Sequence, residues 1–206
     1  MRLHHRLVGS MCAAVLCIVI VACGDDAPVA REFVGYRNVP GQPVGAIALP
    51  DVSNDGRDLA LRAAPGELLI TYFGYTSCPD VCPTTLADLR RALRDLGDDA
   101  ARVDLAMVTV DPERDTAEVL TGYVQSFVPG AHALRTDDPA SLRAAADAFG
   151  ASYSVTTADD GRVEVAHSAA MYVVDPNGTV TLTWPFGVAA DDLRLDLEAL
   201  LAEVAP

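Results

Sequence analysis

Two cysteines separated by three residues, Cys78 and Cys82, stand in the run Tyr72-Phe73-Gly74-Tyr75-Thr76-Ser77-Cys78-Pro79-Asp80-Val81-Cys82-Pro83. The run joins an apolar stretch of strand length to the start of a helical pattern. In a helical first turn an i, i+4 pair shares one face, so the two sulfurs can meet in a disulfide or around one small ion. Pro83 suits such a turn, and the free N–H groups there favour a neighbouring thiolate. The expectation is a pair of low-pKa thiols, fit both to ligate a soft metal and to act as redox nucleophiles.

The chain has 4 histidines. His4 and His5 fall in the N-terminal leader, which leaves His132 and His167. His132 lies in Pro129-Gly130-Ala131-His132, which reads as an exposed turn. His167 precedes the apolar run Met171 to Val174, where a loop can carry it over the carboxyl edge of a sheet toward the cysteines. A lone histidine is more often a surface or structural residue than a ligand, so on residue type alone His167 is a candidate and no more. Two thiolates and one imidazole would make a soft three-donor set. Copper(I) tolerates so few ligands, and copper(II) accepts the same atoms plus water. A structural zinc site would want a fourth protein ligand. Asp80 is the best oxygen donor nearby, with a surface turn as its plain alternative.

Arg2 and Arg6 precede an uncharged run from Leu7 to Ala22 that stops at Cys23. The run is shorter than the roughly 20 apolar residues of a spanning helix and follows a basic start, as export signals do. Ile20-Val21-Ala22-Cys23-Gly24 resembles a bacterial lipobox. The expected organisation is a lipoprotein signal peptide at 1–22, a flexible tether at 23–32 behind a lipidated Cys23, and one folded domain at 33–206. The alternative is a retained N-terminal anchor; either places the domain outside the cytoplasm and tied to the bacterial cell membrane. Cys12 and Cys17 go with the leader and Cys23 with the lipid, so Cys78 and Cys82 are the free pair. A bridge over so short a loop removes little unfolded-state entropy, which favours function over stapling. With 29 acidic and 15 basic residues, all arginine, and a net charge of −14, nucleic acid is excluded as a natural partner. A monomer is expected.

The periodicity supplies the elements that must position these groups. Ala46 to Leu49 and Leu59 to Leu61 flank a turn and read as a β-hairpin. Leu68 to Phe73 reads as a central strand buried on both faces. Leu86, Leu89, Leu93 and Leu96 make the apolar side of a helix ended by Gly97. Val103 to Val110 is a second strand, a helix starts at Asp115 and Thr116, and another spans Pro139 to Phe149. Tyr153 to Thr156 with Arg162 to Val165, and Met171 to Val174 with Val180 to Trp184, flank turn signals as hairpins. Leu193, Leu197, Leu200 and Leu201 mark a last helix. This order predicts an α/β fold, a thioredoxin-like mixed sheet flanked by helices with an N-terminal β-hairpin extension.

Three ordered motifs carry a more specific resemblance. Phe73 to Leu86 closely resembles the cysteine signature of the Sco (SenC) proteins. Val108-Thr109-Val110-Asp111-Pro112-Glu113-Arg114-Asp115-Thr116 resembles their second motif, and His167-Ser168 followed by Met171 to Pro176 resembles their histidine loop. The resemblance implies a membrane-tethered, thioredoxin-like metallochaperone that helps insert copper into the copper A centre of cytochrome c oxidase. It implies one copper(I) or copper(II) ion per chain, held by Cys78, Cys82 and His167. The chain departs from the family at Ala166, where an acidic residue often precedes the histidine, and around His132. Asp111, Arg114 and Asp115 would shape the loop beside the site, or simply cap a helix and pair on the surface. The competing reading is a thiol-disulfide oxidoreductase in which one cysteine attacks a partner disulfide and the other resolves it. Such enzymes use a two-residue spacer and need no His167, which tilts the reading toward copper. Peroxide reduction by Cys78 lacks a nameable catalytic partner.

Overall fold

Seven consecutive buried residues, Leu68–Gly74, form the strand around which the molecule is built. The computed structural model describes residues 32–205, so the leader, Cys23 and all of the tether except Glu32 lie outside the described residues. In chain order the elements are β1 (Tyr36–Pro43), β2 (Ala48–Asp51), β3 (Arg57–Ala60), β4 (Leu68–Gly74), α1 (Val81–Leu96), β5 (Val103–Thr109), α2 (Ala117–Phe127), β6 (His132–Leu134), α3 (Pro139–Ala148), β7 (Tyr153–Thr157), β8 (Val163–His167), β9 (Met171–Val174), β10 (Thr179–Trp184) and α4 (Ala190–Glu203). An 8-stranded sheet runs in the order β1-β10-β9-β4-β5-β6-β2-β3. Its centre, β4-β5-β6, is parallel, and the remaining pairs are antiparallel. Among the described residues no helix is long and apolar enough to cross a membrane.

The helices form where apolar spacing and capping agree. Leu86, Leu89, Leu93 and Leu96 of α1 are buried together with Cys82 and Thr85, and α1 packs on α4, whose Leu193, Leu197, Leu200 and Leu201 are buried. Thr116 caps α2 by accepting the Val119 N–H, and Asp138 caps α3 by accepting those of Ala140 and Ser141; such caps contribute about 1 kcal/mol each. The mixed sheet with flanking helices is the expected fold. Two strands lie outside the sequence expectation. β1 contains Asn38, Pro40, Gly41 and Pro43, which read as loop; as an edge strand with an irregular register against β10 it tolerates the missing donors. β6 is too short to show a period. The hairpin of β2 and β3 joins the main sheet through Asp51 opposite Leu134, whereas β7 and β8 form a separate two-stranded sheet.

His132 is not in an exposed turn. It opens β6, half-buried, with Nδ1 2.7 Å from a carboxylate oxygen of Asp51. Asp51 is 1% exposed and also accepts the Ser53 hydroxyl at 2.5 Å and the Ala133 N–H at 3.1 Å. Burial raises this carboxyl, but the bonds from Ser53, His132 and Ala133 outweigh it and leave Asp51 below its ordinary 3.8. A depressed carboxylate contributes stability that is present above its unfolded pKa and lost as pH falls through the folded value. Asp51→Asn is therefore expected to cost about 1–3 kcal/mol at neutral pH and to flatten the loss of stability below about pH 4. Urea denaturation across that range checks both; parallel curves for the two proteins would refute the assignment.

Candidate metal centre

β9 runs antiparallel to β4, with Met171 opposite Tyr72. The chain leaving β4 at Gly74 and the chain entering β9 from His167 therefore reach the same end of the sheet. There the donor atoms of Cys78, Cys82 and His167 lie within 4.8 Å of one another, and among the described residues theirs is the one such cluster of three. Both cysteines are free thiols. Cys82 Sγ is 3.4 Å from His167 Nε2, and Cys78 Sγ accepts the Cys82 N–H at 3.3 Å.

The route by which the sulfurs meet differs from the helical-face expectation. α1 begins at Val81, so Cys78 belongs to the turn before the helix rather than to its first turn. Its sulfur does the work of a capping side chain, because Asp80, the residue at the cap position, caps nothing through its own carboxylate. Asp80 is exposed, and its carboxylate receives the Thr84 hydroxyl at 3.4 Å. It lines the open mouth of the site with Tyr75, Pro79 and Val165 and stands apart from the donor cluster.

The cysteine loop is held from the side by the segment after β5. Asp115, 0% exposed, accepts the Thr76 hydroxyl at 2.5 Å, the Thr76 N–H at 3.1 Å and the Thr109 hydroxyl at 2.6 Å. Arg135 fixes that segment in turn by donating to the carbonyls of Pro112 and Asp115, each at 2.9 Å. Arg114 pairs with buried Asp111 and lies over the Tyr75 ring, whose edge meets His167 at 5.7 Å between centroids. Asp115 thus acts on the loop, while capping of α2 falls to Thr116. Gly74 allows the close approach beneath: a Cβ there would stand 2.8 Å from the Tyr72 ring and 3.0 Å from Cys82 Sγ. Tyr72, Gly74, Thr76 and Thr109 escaped the sequence reading as contributors to the site. A glycine ending an otherwise apolar strand was the one available signal.

Electrostatically the centre favours neutral groups. Burial pushes His167 below 6.5, opposed in part by the carbonyls of Ser168 and Phe73. Its Nδ1 lies 3.1 Å from the Ser168 carbonyl, which assigns the proton to Nδ1 and leaves the Nε2 lone pair facing Cys82. With Ala166 before the histidine, a backbone oxygen rather than a carboxylate orients the ring. The expectation of two lowered thiols fails at Cys82. That side chain is fully enclosed, and burial pushes its thiol up to about 12 against smaller lowering contributions from Tyr72 and the Tyr75 backbone. Desolvation outweighs the helix terminus here.

A mixed sheet with two thiols beyond the end of a parallel central strand, and an imidazole brought from the antiparallel neighbour, defines a thioredoxin-like protein with a soft three-donor centre. The SCO1/SenC family model matches residues 51–202. The chain belongs to that family. A SCO2-like protein of Rickettsia prowazekii is 32% identical over 130 residues, covering 62% of this chain and 63% of the relative. The mitochondrial SCO1 homolog 1 of Arabidopsis thaliana is 33% identical over 150 residues, covering 71% and 44%. The chain thus spans less than two thirds of the length of these curated relatives. Apo Sco1 of Thermus thermophilus superposes with a TM-score of 0.73 at 35% identity, covering 84% of this chain and 99% of that one. Bradyrhizobium japonicum ScoI, solved with copper bound, gives 0.64 at 30% identity, covering 77% and 98%.

The unequal burial of the two thiols has a chemical consequence. Burial holds the Cys82 proton well above the ordinary thiol range, which leaves little reactive thiolate, and Cys82 is sealed besides. A short pulse of iodoacetamide on the reduced native protein is expected to label Cys78 at least about tenfold faster than Cys82, with the difference lost in urea. Peptide mass mapping reads the ratio; equal labelling in the native state would contradict the placement of Cys82.

Proposed function

We propose that this chain is a copper-binding metallochaperone that takes one copper ion as cargo on Cys78, Cys82 and His167. The observation that carries the reading is the convergence of two sulfurs and an Nε2 lone pair within 4.8 Å at the open end of the sheet. Two thiolates and a neutral imidazole suit copper(I), and the same atoms with water suit copper(II). The copper-bound state of the Bradyrhizobium japonicum and Arabidopsis thaliana ScoI proteins, 30% and 28% identical, supports the same cargo here. Loading displaces the Cys82 proton, and ligand exchange with a partner's donors releases the ion. No covalent turnover of the chain is required. The recipient is the copper A subunit of cytochrome c oxidase or another exported cuproprotein. The domain works outside the cytoplasm, tethered to the bacterial cell membrane by lipid on Cys23 after removal of residues 1–22.

A second reading, a thiol-disulfide oxidoreductase, draws on the pairing of a half-buried Cys78 with an enclosed Cys82. In it Cys78 attacks a partner disulfide and Cys82 resolves the mixed disulfide. The two readings are linked, because a Cys78–Cys82 disulfide cannot take the ion and must be reduced first.

Anaerobic copper(I) titration of the reduced full chain separates them. One equivalent is expected to bind; Cys78→Ser and Cys82→Ser abolish tight binding, and His167→Ala weakens it, chiefly for copper(II). An unaffected His167→Ala would remove the histidine from the site. Cysteine variants that keep copper but lose disulfide reduction would establish the oxidoreductase instead.

A further inference from the structure

Tyr72 and Thr85 each carry a hydroxyl that is sealed from solvent and has no hydrogen-bond partner; the residues are 0% and 6% exposed. A buried hydroxyl left unbonded is costly and uncommon, so it calls for a partner that exists in another state of the protein. Both residues border Cys82. Tyr72 lies on β4 two positions before Gly74, where a Cβ would touch its ring and Cys82 Sγ together. Thr85 follows Cys82 by three positions on the buried face of α1. Hydrogen bonding toward Cys82 and Thr85 bears on the ionisation of the Tyr72 hydroxyl, yet by distance and angle neither bond is fully formed. The Tyr72 ring also meets the edge of His167, at 6.2 Å between centroids.

The state of the sulfur explains the unmade bond. Cys82 Sγ already faces His167 Nε2 at 3.4 Å, and a thiol sulfur is a weak acceptor. A metal-bound thiolate keeps lone pairs and negative charge, and accepts strongly. We propose that Tyr72 is a positioning residue for the copper site: its hydroxyl donates to Cys82 Sγ once that sulfur is a copper-bound thiolate, and Thr85 Oγ1 donates to the Tyr72 oxygen. This rests on the copper reading above. Successive donation along Thr85, Tyr72 and Cys82 polarises each bond. Copper(I) with two thiolates and a neutral imidazole leaves a net negative charge, and copper(II) leaves none. The bond therefore favours copper(I), as hydrogen bonding around a cysteine sulfur tunes other copper–thiolate sites.

The test uses the reduced full chain with Tyr72→Phe and, separately, Thr85→Val. Competition with a chromophoric copper(I) chelator measures copper(I) affinity; copper(II) affinity and the sulfur-to-copper(II) absorption band are read in parallel. Tyr72→Phe is expected to weaken copper(I) binding about tenfold, to weaken copper(II) less, and to move the band to longer wavelength. Thr85→Val is expected to move all three the same way by less. Unchanged values, or equal loss of both affinities with the band in place, would overturn the proposal. If Tyr72→Phe does not fold, Thr85→Val carries the test, and its silence overturns it. A wild-type chain that leaves all copper on the chelator overturns the copper reading and this proposal with it, an outcome distinct from an insensitive variant of a copper-binding protein.

Discussion

The antiparallel pairing of β4 with β9 is the constraint on which the site depends. A parallel neighbour would begin at the opposite end of the sheet and carry its preceding residues away from the carboxyl edge. Because β9 runs the other way, the residue that opens it, Met171, lies opposite Tyr72. The loop holding His167 then falls beside the loop holding the cysteines. The pairing is itself secured by burial, since all of Leu68–Gly74 and Met171–Val174 are enclosed. A shift of one residue would turn Tyr72 away from α1 and place Thr71 beneath the sulfurs.

Around that frame the protein fixes the loops with buried, fully used carboxylates. Asp115 binds Thr76 and Thr109. Asp51 ties the β2–β3 hairpin to β6. Asp196 receives the N–H groups of Val34 and Gly35 and the Trp184 indole, fastening the start of the domain to α4. A buried carboxylate is tolerated because each oxygen has donors, and removing one donor leaves the remainder exposed to the full cost of desolvation. The centre itself contains no such charge. Enclosure favours the neutral forms of Cys82 and His167, so a bound cation brings the charge that a thiol answers by losing its proton.

Much of this was legible in the sequence, and the parts that were not share a cause. Long apolar runs such as Leu68 to Phe73 and the leucine ladder of α1 announced themselves by period, and the turn signals Asp159-Asp160-Gly161 and Asp175-Pro176-Asn177-Gly178 placed the late hairpins. The candidate donors were readable as residue types, and their order suggested that they converge. β1 and β6 were not readable, because a proline-bearing edge strand and a three-residue strand owe their conformation to β10 and β5 rather than to local preference. The same holds for His132, whose neighbours Pro129 and Gly130 spell a turn while Asp51, far away in the chain, draws the imidazole inward. The thiol of Cys82 departs from expectation for a related reason: helix position is a local property, whereas enclosure is decided by β4, α1 and the histidine loop together.

Exposure also orders any exchange at the centre. Cys78 sits in the turn before α1 at the mouth lined by Pro79, Asp80 and Val165, while Cys82 is enclosed beneath it against Tyr72 and His167. An incoming donor or disulfide meets Cys78 first, and Cys82 can respond only from inside. For a cargo ion this makes the outer sulfur the ligand exchanged first and the inner pair the ones that hold the ion during transfer. For a disulfide partner it makes the outer sulfur the nucleophile. The one asymmetry of burial fits either chemistry, and His167 is what distinguishes them: it would add a third donor to an ion and adds nothing to a disulfide.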